Sequence, residues 1–302
     1  MAEVLIRAAR PRAVVWPWWP VDRLLLTYLA LTAGLKILGW NRLPQAAWLL
    51  AADFLAVALL GLAVRFPHSR AAHVFRHWYP LPYVIACYKE MSLIIPAVRG
   101  TGADAALAAL EQALWGVQPT VWLERWLNPL AVEVLQTVYF GFVPMVLSVC
   151  VLLWRRRRFE DFRYYGFAVA LGFVASYVGY LAVPVRGPRF FIARLYTREV
   201  HGWILHQPLS RLLDQIESYH FDCFPSGHTA LMIVACWGSR MVSRNWFRVT
   251  VLYTLGVVSA TVYLRYHYTV DLLAGAVLAG LLLVATPHLY RRLGGRTVGG
   301  AG

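Results

Sequence analysis

The chain has 302 residues, of which 59% are hydrophobic and 15% charged, and its mean hydropathy is +0.53. Soluble domains are nearer half apolar and a quarter charged, so a water-soluble globule is excluded as the main architecture. The formal charge of +14 rests on arginines placed between apolar segments. That distribution orients membrane helices, and no basic recognition element for nucleic acid accompanies it.

Residues 1–23 read as a cytoplasmic or interfacial arm. The start is basic, no small-residue cleavage site follows a short apolar core, and Trp16, Trp18 and Trp19 suit the headgroup layer. Residues 24–290 read as one integral membrane domain. Apolar stretches at 24–40, 46–65, 81–98, 131–153, 164–184, 227–243, 248–265 and 268–288 approach the roughly 20 residues that cross a bilayer. The expectation is an all-α polytopic bundle of about eight transmembrane helices. The 81–98 stretch contains Lys89 and Glu90, and a charge at mid-membrane costs about 2.5–3.5 kcal/mol. Neighbouring helix positions point apart, so these two are not partners of each other. Residues 291–302 read as a flexible tail.

Orientation follows from the arginines. Arg155 to Arg158 with Arg163, then Arg240, Arg244 and Arg248, then Arg291, Arg292 and Arg296 belong on the cytoplasmic side. Both termini are then cytoplasmic, and the chain must cross between residues 77 and 130, which only 81–98 can do. Loops 99–130 and 185–226 lie outside, the first with an amphipathic helix around ALAALEQALWGV.

This topology brings three stretches to the outer face: VPVRGPRFF with Arg186 and Arg189, FPSGHT with Ser226, Gly227 and His228, and YLRYHYTVDLLAG with Arg265, His267 and Asp271. His267 and Asp271 are one helical turn apart, so the carboxylate accepts the imidazole N–H and raises the basicity of the other nitrogen. Ser-Gly before His228 starts a helix whose free N–H groups attract anions. Arginines bind phosphate oxygens two at a time. Together these groups describe phosphoryl transfer through a phosphohistidine. Taken singly, each has a plainer reading: His228 as a cap, His267 and Asp271 as a structural pair, the arginines as headgroup contacts. Their convergence on one face favours the functional one.

His220, Asp222, Cys223 and His228 also gather, but their spacing matches no common zinc pattern, so neither metal nor other cofactor is expected. Cys87, Cys150 and Cys236 lie in apolar runs, and no disulfide framework follows. A channel or transporter with a basic vestibule is the alternative from another class. Its usual mark, broken helices at matching places in two halves, is missing from the sequence.

FPSGHT followed by RYHYTVDLLAG resembles the type 2 phosphatidic acid phosphatase superfamily. The pairing of FPSGH with YLRYHYTVD, together with LWGVQPTVWLERWLNP and VYFGF, looks most like the branch of inositol phosphorylceramide synthases and their bacterial relatives. The resemblance spans about residues 80 to 290 and implies a metal-independent phosphatase core formed by the C-terminal helices. It implies His267 as nucleophile, Asp271 as its orienting partner, His228 as acid to the leaving alcohol, and Ser226 and Gly227 holding phosphate oxygens. Arg186, Arg189 and Arg265 are the candidate phosphate arginines. Ala260 and Thr261 stand where the phosphatase pattern carries Ser-Arg, and Ala182 where its first motif carries lysine. These departures argue against a plain phosphatidate phosphatase and favour an inositolphosphotransferase-like enzyme. Its partners would be a lipid donor and a polyol or glycolipid acceptor. A lipid phosphate or isoprenoid diphosphate phosphatase is the alternative. The expected location is a bacterial plasma membrane, with the site on the outer face. The lipid, the acceptor and the oligomeric state stay open.

Overall fold

The computed structural model describes residues 18–99, 102–216 and 221–296. The expectations for Trp16, for most of the N-terminal arm, for His220 and for the tail from residue 297 lie outside the described residues. Helices run α1 Pro20–Leu38, α2 Ala46–Arg65, α3 Arg70–Trp78, α4 Pro80–Arg99, α5 Asp104–Trp115, α6 Pro119–Trp122 and α7 Pro129–Phe140. They continue as α8 Phe142–Arg155, α9 Phe159–Ala182, α10 Pro188–Phe191, α11 His206–Ile216, α12 Gly227–Val242, α13 Arg244–Tyr263 and α14 Thr269–Arg292. The fold is all-α: among the described residues there is no strand, only an isolated bridge between Val185 and Asp222.

All eight expected spans are helical. Five of them, α2, α4, α9, α13 and α14, are long and apolar enough to cross a membrane, and the bent pair α7–α8 makes a sixth. Two fall short for simple reasons. α1 includes Asp22, Arg23 and Lys36, and α12 has 16 residues, about 24 Å at 1.5 Å per residue. Both are compensated by position, since α1 buries Asp22 and Lys36 in ion pairs and α12 lies at the centre of the bundle.

α12 packs against α8, α9, α13 and α14, while α4 and α1 pack against α9. α9 is the most buried span, and Phe162, Tyr165, Phe167 and Tyr177 fill the interior along its length. α2 is its opposite: Trp48, Phe54, Leu55 and Leu62 point outward. Such all-round apolar character is what a lipid-facing helix requires.

Three charged side chains meet inside the N-terminal half. Lys36 on α1 binds Asp53 on α2 and, at 3.0 Å, Glu90 on α4. Glu90 thus faces the bundle interior, and its partner there is Lys36. Lys89 points the other way and donates to the Gln215 carbonyl at 3.0 Å. At the opposite end of α1, Asp22 accepts from Arg76 at 2.8 Å and from Tyr79 at 2.7 Å.

The expected span 131–153 is broken by 43° between α7 and α8. Gly141 lacks the side chain that would stiffen the break, and Pro144 has no N–H to offer the preceding turn. The break leaves Tyr139 and Phe142 both against the ring of His228, each with its centroid 4.7 Å away.

Candidate active site

The helix start expected from the sequence is present. Ser226 is the N-cap of α12, and its hydroxyl accepts from the Thr229 N–H at 3.3 Å. Its own N–H donates to the Asp271 carbonyl at 3.0 Å, tying the start of α12 to that of α14. Gly227 sits against Tyr180 and Ser176 of α9, where a Cβ would collide. His228 follows one position later and leaves the wall toward His267.

His267 stands just before α14. Its N–H and that of Tyr266 both donate to the Thr261 carbonyl, at 3.0 and 2.8 Å, and Arg265 takes a left-handed φ of 67° to make the turn. The His267 Nε2 lies 3.3 Å from His228 Nδ1. On the far side of the ring, Nδ1 lies 3.4 Å from Asp271 Oδ2. Asp271 is fully buried, and Oδ2 also accepts from the Tyr268 N–H and the Cys223 thiol, each at 2.8 Å. Burial, then the neighbouring Asp271, hold the Cys223 thiol well above its usual range, so it is the protonated donor in this bond.

A cleft with about 370 Å³ of empty space, part of it open to solvent, is lined by Tyr139, Arg186, Arg189, Phe190, Asp222, Cys223, His228, Tyr266 and His267. Four of the expected site residues, Arg186, Arg189, His228 and His267, therefore share one wall, with Asp271 directly behind it. Among the described residues the Arg186 guanidinium meets only the Phe190 ring, 5.3 Å from its centroid. Arg189 is held as a bidentate pair with Asp214 at 2.8 and 3.0 Å.

Arg265 is not part of the cleft. Its guanidinium donates to Glu124 at 2.8 Å and to the Arg198 carbonyl at 2.7 Å, and lies 3.8 Å from the Tyr196 ring centroid. Burial pulls it below the usual arginine range, against the pull of Tyr196 and Glu124. Ser226 and Gly227 are likewise behind the wall and do not line it.

The sequence reading missed a set of carboxylates. Asp104 accepts the N–H groups of Arg186 and Gly187 at 3.0 Å, and Gly187 needs its positive φ of 93° to present that amide. Glu111 accepts from the Thr269 hydroxyl at 2.5 Å and the Val270 N–H at 2.9 Å, capping α14 beside Asp271. Glu124 gathers the Thr197 amide and hydroxyl, and Glu133 the amides of residues 203 to 206. All four acids come from one stretch, residues 104–133, and each fastens a loop that carries or flanks the site. Their bare presence opposite an arginine-rich loop was the available signal. Which amides they hold is a matter of tertiary placement. Cys223, which touches both His267 and Asp271, stood out in the sequence only through its nearness to FPSGH and its grouping with His220, Asp222 and His228.

The profile of the PAP2 superfamily matches residues 105–285. The chain belongs to the PAP2 superfamily. The matched region runs from α5 into α14 and includes all the candidate residues, while the ion-paired helices α1, α2 and α4 lie outside it. Over 97 residues this PAP2 superfamily protein is 31% identical to a PA-phosphatase related-family protein of Dictyostelium discoideum. That stretch is 31% of this chain and 18% of the relative. No solved structure matches the chain.

Proposed function

We propose that this PAP2 superfamily protein is an integral membrane enzyme that moves a phosphoryl or phosphodiester group from a lipid headgroup through a phosphohistidine. The observation that carries the reading is the line Asp271, His267, His228, with separations of 3.4 and 3.3 Å, ending in a cleft with the uncommitted Arg186. His267 Nε2 attacks phosphorus while the bond to the lipid oxygen breaks. Asp271 holds the Nδ1–H and steadies the charge that develops on the ring. His228 gives its proton to the departing oxygen and takes one back from the alcohol that next attacks the phosphohistidine. Arg186, and Arg189 if it leaves Asp214, would neutralise the phosphate oxygens.

Transfer to a polyol or glycolipid hydroxyl, as in an inositolphosphotransferase-like enzyme, is favoured over hydrolysis because Thr261 replaces the arginine of the phosphatase pattern. Its hydroxyl is spent on the Val258 carbonyl at 2.7 Å. The arginines between spans support an outer-face location for the cleft. The transporter alternative receives little support, since α7–α8 is a single break at the wall of a histidine site.

The test is quenched turnover with a lipid donor labelled at phosphorus. Acid-labile, base-stable label should remain on the wild-type protein, be absent from His267→Ala, and be lost faster when a polyol is added than in water alone. Label on His267→Ala removes the mechanism. Equal loss with and without polyol, in favour of free phosphate, makes the enzyme a phosphatase.

A further inference from the structure

Cys223, His267 and Asp271 are all buried, and one donor atom from each lies close to the other two. Sγ to Nδ1 and Nδ1 to Oδ2 are both 3.4 Å, and Sγ to Oδ2 is 2.8 Å. Zinc bonds of about 2.3 Å to sulfur and about 2.0–2.2 Å to nitrogen and oxygen give tetrahedral edges of roughly 3.5 Å (S to N) and 3.4 Å (N to O). Two of the three edges therefore already have zinc dimensions. The third is a thiol hydrogen bond, which opens once the proton it contains is gone. A second observation points the same way: the other oxygen of Asp271, Oδ1, is buried with no hydrogen-bond partner. There is also a way in, because Cys223 and His267 both line the cleft.

We propose that Cys223, His267 and Asp271 form a binding site for a thiophilic divalent cation, zinc above all, whose occupation switches the enzyme off. The sulfur, the imidazole and the carboxylate are the usual zinc donors, and the fourth position opens on the cleft for water. The step balances simply. Zinc displaces the thiol proton, which leaves through the cleft. The imidazole gives Nδ1 to the metal, so its one remaining proton moves to Nε2. Nε2–H has no free lone pair for phosphorus, and the carboxylate that steadied the ring is now a ligand. The inhibitory half of this inference rests on His267 being the nucleophile; the metal site itself does not.

The probe is the full-length protein in detergent, stripped by chelator and titrated with Co²⁺ for spectroscopy and with Zn²⁺ for turnover. Wild type should show a sulfur-to-cobalt charge-transfer band that is kept in Cys236→Ser and lost in Cys223→Ser. The serine retains a hydroxyl to donate to Asp271, and Cys223→Ala serves as a second variant should serine misfold. Each protein's zinc inhibition is scored against its own uninhibited rate. Loss of the thiolate should raise the inhibiting concentration by more than about 10–100-fold, the range that even an outer-shell change produces. A band that survives in both Cys223 variants, or no band in wild type, overturns the site and leaves the phosphohistidine reading standing. A Cys223-dependent band with turnover unaffected by zinc overturns the inhibition, and with it the assignment of His267 as nucleophile.

Discussion

Replacing Glu124 by Gln should cost this protein about 3–5 kcal/mol, the range seen when one partner of a buried ion pair is removed. The figure follows from what Glu124 holds. The side chains of Glu124 and Arg265 are each 9% exposed, so solvent does little to screen the arginine left behind. The remaining contacts of Arg265 are the Arg198 carbonyl and the face of Tyr196, and a cation over an aromatic ring contributes about 0.5–2 kcal/mol. These do not neutralise a buried guanidinium. The strain of a non-glycine residue at φ 67° adds to the load on the same turn. Because Arg265 is two residues from His267, losing the latch should also displace the histidine, and turnover should fall with stability.

The assay is thermal inactivation and denaturant unfolding in one detergent, for Glu124→Gln, Arg265→Met and the double variant. The double variant should recover much of the loss, since no buried charge is then unpaired, giving a coupling energy well above about 0.5 kcal/mol. If Arg265→Met abolishes turnover at unchanged stability, and Glu124→Gln is neutral, then Arg265 acts on phosphate and the latch is wrong.

Three further outcomes are expected. His228→Ala should lose about 10²–10⁴ in rate with a lipid alkoxide leaving group, and far less with p-nitrophenolate, which leaves unprotonated; equal losses would make His228 a phosphate-binding group. Lys36→Met should destabilise by about 3–5 kcal/mol by leaving Asp53 and Glu90 unpaired in the bundle, while Lys36→Met with Asp53→Leu and Glu90→Gln should fold nearly as well as wild type; equal instability of the single and triple variants would refute the pairing. His77 on α3 is caged by Trp19, Trp154, Phe159 and Phe162, and burial, with His73, Arg163 and Arg76 nearby, lowers its pKa to about 4. Between about pH 6.5 and 4 the unfolded chain binds a proton that the folded one refuses, so stability should be full above that window and fall by roughly 3 kcal/mol through it. His77→Phe should flatten that fall, and an unchanged pH profile in the variant would remove His77 as its cause.

The sequence by itself determined the parts that depend on local chemistry. Apolar runs of membrane length impose helices, because backbone N–H and C=O groups have no other partner in lipid, and every expected span is one. Ser226 before Gly227 specifies a helix start, and the i, i+4 spacing of His267 and Asp271 keeps ring and carboxylate within reach, although His267 lies before α14 and its ring is set by the turn held on the Thr261 carbonyl. Tertiary structure decided how the pieces divide their charges. Arg186, Arg189 and Arg265 are equivalent as letters, yet one is left facing the cleft, one is paired with Asp214 and one is buried on Glu124. Ion pairing across 25 to 141 positions follows from which helix ends meet, and no local rule encodes that. The same holds for Lys36, Asp53 and Glu90, and for the four acids of residues 104–133 that fasten the site's loops. It holds most sharply for Cys223, which is an ordinary loop cysteine in the sequence. Only the meeting of α12 with α14 puts its sulfur against both His267 and Asp271.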